Sequence, residues 1–285
     1  MQFPKKLLDF YINSSIHIAF SVYSLVRMTQ FMFHISEDKP TLYFAFFGTI
    51  VGYNFVKYDA LARTQKLQMR RELMGIAFIS LISLIATGYY FFQLKQTTKI
   101  IGFLFLVITL LYTLPFFPNR RNARNWAGIK IYIVALCWVG VTVVLPIINA
   151  EIAITSDFYL KCVQRFLLIF VLVLIFEIID LQKDDPNLKT VPQQIGVKKT
   201  KILGFILLLV FCVLEFLNSN VNININDNFN FQFSYLMLNL IFAIAIVIGL
   251  FLAFVNPFRS KYYTSFWVES VPILWWVLVL VLDNL

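Results

Sequence analysis

Charge is scarce in this chain. Only 14% of its 285 residues are Asp, Glu, Lys or Arg, against about 25% in an ordinary soluble domain. With 60% hydrophobic residues, this shortage excludes a water-soluble globule and leaves a polytopic membrane protein. Cysteine is scarce too. Cys137, Cys162 and Cys212 stand alone inside apolar stretches, without the pair spacing of a zinc site or a disulfide scaffold. The two histidines, His17 and His34, are far apart and lack an HExxH or i,i+4 partner, which argues against a histidine metal centre. No internal repeat and no appended soluble domain is visible. The first apolar stretch lacks a small-residue cleavage site, so it reads as retained rather than as a signal peptide.

Apolar runs are what the chain has in quantity. Runs of about 20 residues, enough for one bilayer crossing, are expected at 14–34, 41–58, 74–94, 99–117, 128–148, 160–180, 202–219, 231–254 and 264–282. The expected fold is therefore an all-α membrane bundle of about nine helices, a single domain over 1–285. The 24 Lys and Arg outnumber the 15 Asp and Glu, but this is no nucleic-acid signature, because the excess sits in short loops. One set of loops holds Lys5, Lys6, Lys57, Arg63, Lys66, Arg70, Arg71, Arg120, Arg121, Arg124, Lys183, Lys189, Lys198, Lys199, Lys201, Arg259 and Lys261. The opposite set holds only Lys39, Lys95, Lys99 and Lys161. The positive-inside rule then puts the N-terminus in the cytoplasm and the C-terminus outside, in what is expected to be a bacterial cytoplasmic membrane. The Asn-rich stretch 218–230 reads as a solvated outer connector.

Phe176–Gly196, FEIIDLQKDDPNLKTVPQQIG, carries the chemistry. Spacings of three and four residues put Glu177, Asp180 and Asp184 on one helical face, and Pro186 is expected to end that helix. Acids at the lip of a membrane helix are costly and usually mark a function. One reading is a solvated helix end paired with Lys183 and Lys189. The other is a Mg²⁺ ion holding a phosphorylated ligand, which suits hard carboxylate oxygens that leave room for water. Asn54 and Asp180 are separated by four crossings, an even number, so both open on the same side. Arg27, Arg165 and Glu269 fall inside expected helices, as buried ion pairs or cavity-lining groups.

The nine-helix layout, the acidic cluster ending the sixth helix and the following Lys189, Thr190, Pro192 and Gly196 resemble the UbiA family of intramembrane prenyltransferases. Its second aspartate-rich motif reads roughly DxxDxxxD, and Glu177, Asp180 and Asp184 stand at those positions. The segment Leu110–Lys130 also resembles the family's loop between the fourth and fifth helices. The first motif, roughly NxxxDxxxD, is eroded. Asn54 is in place, but Tyr58 and Ala62 stand where the aspartates would be, and Asp59 is off by one position, about 100° round a helix. Tyr112 is present, whereas Phe116 replaces the lysine that often follows it.

The resemblance implies Mg²⁺-dependent transfer of an isoprenyl group from an isoprenyl diphosphate to a lipophilic acceptor in the bilayer: a quinone precursor, a haem precursor or another lipid. It implies Asp180 and Asp184 as the catalytic metal ligands, Glu177 as a weaker third and Asn54 as a polar ligand. Lys57, Arg63, Tyr112, Arg120, Arg121 and Lys189 would hold the diphosphate. The basic residues can equally be topology determinants, and Tyr112 an interfacial anchor. Two other functions stay open: an inactive relative that binds a lipid or membrane partner, and a small-solute transporter. No soluble protein partner is legible.

Overall fold

A computed structural model describes residues 2–64, 71–114, 128–185, 188–222 and 228–283. Every regular element among them is helical, with no strand. Seven helical segments are long and apolar enough to cross a membrane: Leu73–Gln93, Gln96–Thr113, Lys130–Asn149, Ser156–Asp180, Val191–Asn218, Tyr235–Phe254 and Tyr263–Leu282. The protein is thus an all-α, multi-pass membrane protein. The chain divides into two compact units, one of Met1–Ala123 with Gly140–Ala153 and one of Arg124–Val139 with Ile154–Leu285.

The first unit begins with α1 (Gln2–Asn13), α2 (Ile16–Met32), α3 (Lys39–Thr64), α4 (Arg71–Gln93) and α5 (Gln96–Thr113). The expected spans 14–34 and 41–58 fall on α2 and α3, which are not among the seven. α2, at 17 residues, is short for a crossing, and it buries His17, Ser21, Ser24, Thr29 and Gln30 alongside Leu25, Val26 and Met28. His17, Ser21, Thr29 and Gln30 find protein partners there. Asp38 caps α3, accepting from Thr41 N (3.2 Å) and Thr41 Oγ1 (2.6 Å), and Asn149 Nδ2 donates to its second oxygen at 2.7 Å. The π-helical turn Gly140–Val144 and the short helix Leu145–Asn149 complete the unit. A π turn loosens the regular backbone pairing, and Thr29 Oγ1 donates to Thr142 O at 2.6 Å. Gly140 is needed for space there: a Cβ would lie 1.9 Å from the Phe105 ring.

The second unit comprises α6 (Lys130–Val139), α8 (Ser156–Asp180), α9 (Val191–Asn222), α10 (Asn228–Phe254), a π turn at Tyr263–Val268 and α11 (Val271–Asp283); the short helix Leu145–Asn149 of the first unit is α7. Leu168, Ile175, Ile178, Phe211, Ile244 and Ile248 are almost wholly buried, and Ile131, Phe170 and Leu174 form a cluster against Leu203 and Leu207. Charges inside this unit are paired. Lys161 Nζ lies 2.5 Å from Glu215 Oε2, to which Gln164 Nε2 donates at 2.9 Å, and the Arg165 guanidinium sits 5.9 Å from the Trp275 ring centre. The expected outer connector at 218–230 is shorter than its composition suggested, since α9 runs to Asn222 and α10 starts at Asn228.

Candidate functional site

The acidic end of α8 is assembled entirely within the second unit. The α-helix stops at Asp180, five residues before the Asp185–Pro186 step expected to end it. One more turn follows, because Asp184 N donates to Asp180 O at 2.9 Å and Lys183 N to the same oxygen at 2.8 Å. This turn keeps Asp184 above Asp180, as the spacing predicts.

The three carboxylates nonetheless have separate partners. Glu177 is buried, with Oε2 accepting the Val191 N–H at 3.1 Å. That N–H is one of the unpaired donors at the start of α9, so Glu177 ties two helices together. Asp180 is 40% exposed at its side chain and lies 3.5 Å from Lys183 Nζ. Asp184 is 15% exposed, and its Oδ2 lies 3.5 Å from Lys130 Nζ. No hydrogen-bond donor reaches that buried oxygen among the described residues, so the Lys130 contact is an ion pair without a hydrogen bond. Among the described residues no three His, Cys, Asp or Glu side chains gather where one metal ion could bind them together.

Lys130 is the site residue that sequence reasoning missed. Backbone pairing brings it in. Gly128 N donates to Leu188 O at 3.1 Å, which holds the start of α6 beside the turn after α8. Both segments of this contact take left-handed backbone: Gly128 has φ 72° and Lys189, next to Leu188, φ 45°. A Cβ at Gly128 would also lie 3.3 Å from Gln194 Nε2.

The Lys-Thr-x-Pro stretch is largely a capping device. Thr190, Val191, Pro192 and Gln193 form the Gln half of a capping box: the Gln193 side chain accepts the Thr190 N–H at 2.9 Å and donates to Asp185 O at 3.2 Å, while Thr190 Oγ1 is buried without a hydrogen bond among the described residues. Gln194 Nε2 bonds Lys189 O. Gly196, at φ 79° and ψ 158°, breaks α9 after its first turn. These residues hold the turn that carries Asp184 and leave the Lys189 side chain exposed.

In the first unit, Asn54 faces a different task. Its Nδ2 donates to Ser14 O (3.1 Å) and Ser80 Oγ (2.8 Å). Lys57 Nζ donates to Ile12 O (3.4 Å) and Ser15 Oγ (3.0 Å). Tyr58 OH donates to Asn13 O (3.0 Å). The three accepting carbonyls lie at the C-terminal end of α1, where helices leave them unpaired, and Lys57 there also complements the negative end of the helix dipole. An aspartate at 58 could not donate to a carbonyl; a tyrosine can. Asn54 Oδ1 is buried and has no hydrogen-bond partner among the described residues. Tyr112 is buried near the end of α5. Arg63 lies on α3, but its side chain, like Arg120, Arg121 and Phe116, is outside the described residues.

No family model matches the chain, and no curated protein does. The fold has a solved counterpart in the apo structure of a UbiA homolog from Aeropyrum pernix K1, with a TM-score of 0.62 over 94% of this chain and 98% of that one, at 12% sequence identity. The chain thus shares the membrane fold of a UbiA homolog.

Proposed function

We propose that this protein transfers an isoprenyl group from an isoprenyl diphosphate to a lipophilic acceptor within the membrane, with Mg²⁺ as cofactor. The observation that carries this reading is Asp184 Oδ2: a buried carboxylate oxygen without a hydrogen bond, one helical turn beyond Asp180 and 3.5 Å from Lys130 Nζ. Two carboxylates fit Mg²⁺, which is commonly held by one or two carboxylates together with waters and substrate phosphates rather than by an all-protein cage. Asp180 and Asp184 are the proposed holders. When bound, the ion supplies positive charge against the diphosphate.

The remaining work falls to the chain's own groups. Lys130 and Lys189 stabilise negative charge as the allylic C–O bond breaks and the electron pair leaves with diphosphate. The apolar helices exclude water from the allylic cation until an acceptor carbon or oxygen attacks it. Glu177 acts as a positioning residue through Val191. Nine crossings, with the N-terminus cytoplasmic and the C-terminus outside, complete the proposal.

The test is pyrophosphate release from labelled farnesyl or geranylgeranyl diphosphate by the purified protein with Mg²⁺ and a panel of prenyl acceptors. Asp180→Asn and Asp184→Asn are expected to lower it roughly a hundredfold or more. A second reading, a relative that binds the diphosphate or another lipid without transfer, draws on the first unit, where Asn54, Lys57 and Tyr58 are engaged with backbone carbonyls. Metal-dependent binding with no release from any acceptor would favour it. Solute flux in liposomes without metal-dependent binding would instead favour a transporter. The break at Gly196 does not support that third reading, since it lies in the first turn of α9 rather than at mid-span.

A further inference from the structure

We propose that α1 is a surface helix that docks on anionic phospholipid headgroups. At 12 residues it is about 18 Å long, too short to cross a hydrocarbon core of about 30 Å. The chain turns sharply after it, with Ser15 at φ 61° and Ser15 N bonded to Ile12 O at 3.1 Å. Its last turn is held by the Asn54, Lys57 and Tyr58 donors of α3. Tyr11 OH lies 3.0 Å from His17 Nδ1 of α2, and the Phe10 ring lies 3.1 Å from where a Cβ on Gly75, near the start of α4, would sit. These contacts reach the start of α2, the later part of α3 and the start of α4. All three belong to one end of the first unit's helices, the level at which a bilayer presents its headgroups.

The outward face fits that surface. Pro4, Lys5, Lys6 and Leu7 are exposed, while Ile12 is buried. Lys57 is exposed as well. Two neighbouring lysines immediately precede one leucine that is 61% exposed. Lysines on long flexible stems reach lipid phosphates while an adjacent apolar side chain enters the acyl boundary, and basic residues next to an anionic leaflet are attracted to it. Among the described side chains of this face the two lysines stand beside one large exposed apolar group, Leu7, so positive charge is the main feature it offers a partner.

The full-length protein in nanodiscs tests this by amide hydrogen exchange of α1, in zwitterionic lipid and in lipid about one third anionic. Exchange of residues 2–13 is expected to slow roughly tenfold in the anionic discs, to recover at high salt and to show no such slowing in Lys5→Glu/Lys6→Glu. Equal exchange in both lipids, or equal slowing in the double variant, would overturn the proposal. So would the same protection by inorganic phosphate added to zwitterionic discs, which would identify a free anion rather than a headgroup as the ligand.

Discussion

A hydroxyl on Tyr58 donates to Asn13 O, and the residue-scale predictions follow from contacts of this kind. Tyr58→Phe keeps the ring and loses only the donor, so it should cost about 1 kcal/mol and lower the melting midpoint in detergent by a few degrees. Tyr58→Asp places a carboxylate among carbonyl oxygens and should cost more. If Tyr58→Asp is as stable as the parent, the α1 end is not what position 58 serves. Lys130 and Asp184 can be separated by a double-mutant cycle. Lys130→Met leaves Asp184 partly buried without its cation, and Asp184→Asn removes the charge. The double variant should be less destabilised than the two single effects summed, by about 0.5–3 kcal/mol, read by chemical denaturation. Strict additivity would mean that the 3.5 Å ion pair carries no energy.

Two glycines control the elements around the site for different reasons. Gly196 has open space around a would-be Cβ but stands at φ 79° and ψ 158°, a region essentially reserved for glycine. Gly196→Ala should therefore cost about 1–3 kcal/mol through backbone strain alone. The same substitution at Gly128 adds a 3.3 Å contact to Gln194 Nε2 on top of a positive φ, and it should also loosen the Gly128–Leu188 bond that brings Lys130 to Asp184. Gly128→Ala is thus expected to weaken Mg²⁺-dependent diphosphate binding, whereas a destabilisation away from the site, such as Gly140→Ala against Phe105, should not. Binding measured by isothermal calorimetry at matched folded fraction distinguishes them; equal losses in both would make the Gly128 effect one of stability only.

For the whole molecule the open quantity is the number of crossings. Seven segments pass by length and composition, and α2 and α3 would make nine. Lys39, the first residue of α3 after the connection from α2, discriminates between the two counts. In a background without Cys137, Cys162 and Cys212, single cysteines at Lys5 and Lys183 should label from the cytoplasmic side, and those at Lys39 and Glu151 from the outside. Labelling of position 39 from the same side as position 5 would reduce the count to seven.

Composition and spacing alone determined the membrane class, the helical fold and the stacking of Asp180 beneath Asp184. These depend on local periodicity and on the cost of burying charge, both written in the order of residues. Pairing decided by tertiary structure was not legible. Glu177 bonds a backbone N–H of α9, Asn54 and Tyr58 bond backbone carbonyls of α1 and its turn, and Lys130 reaches Asp184 only because Gly128 pairs with Leu188. Peptide groups are the same at every position, so a side chain that answers one leaves no pattern in the sequence; only the folded path shows which groups lie within 3 Å or so of each other.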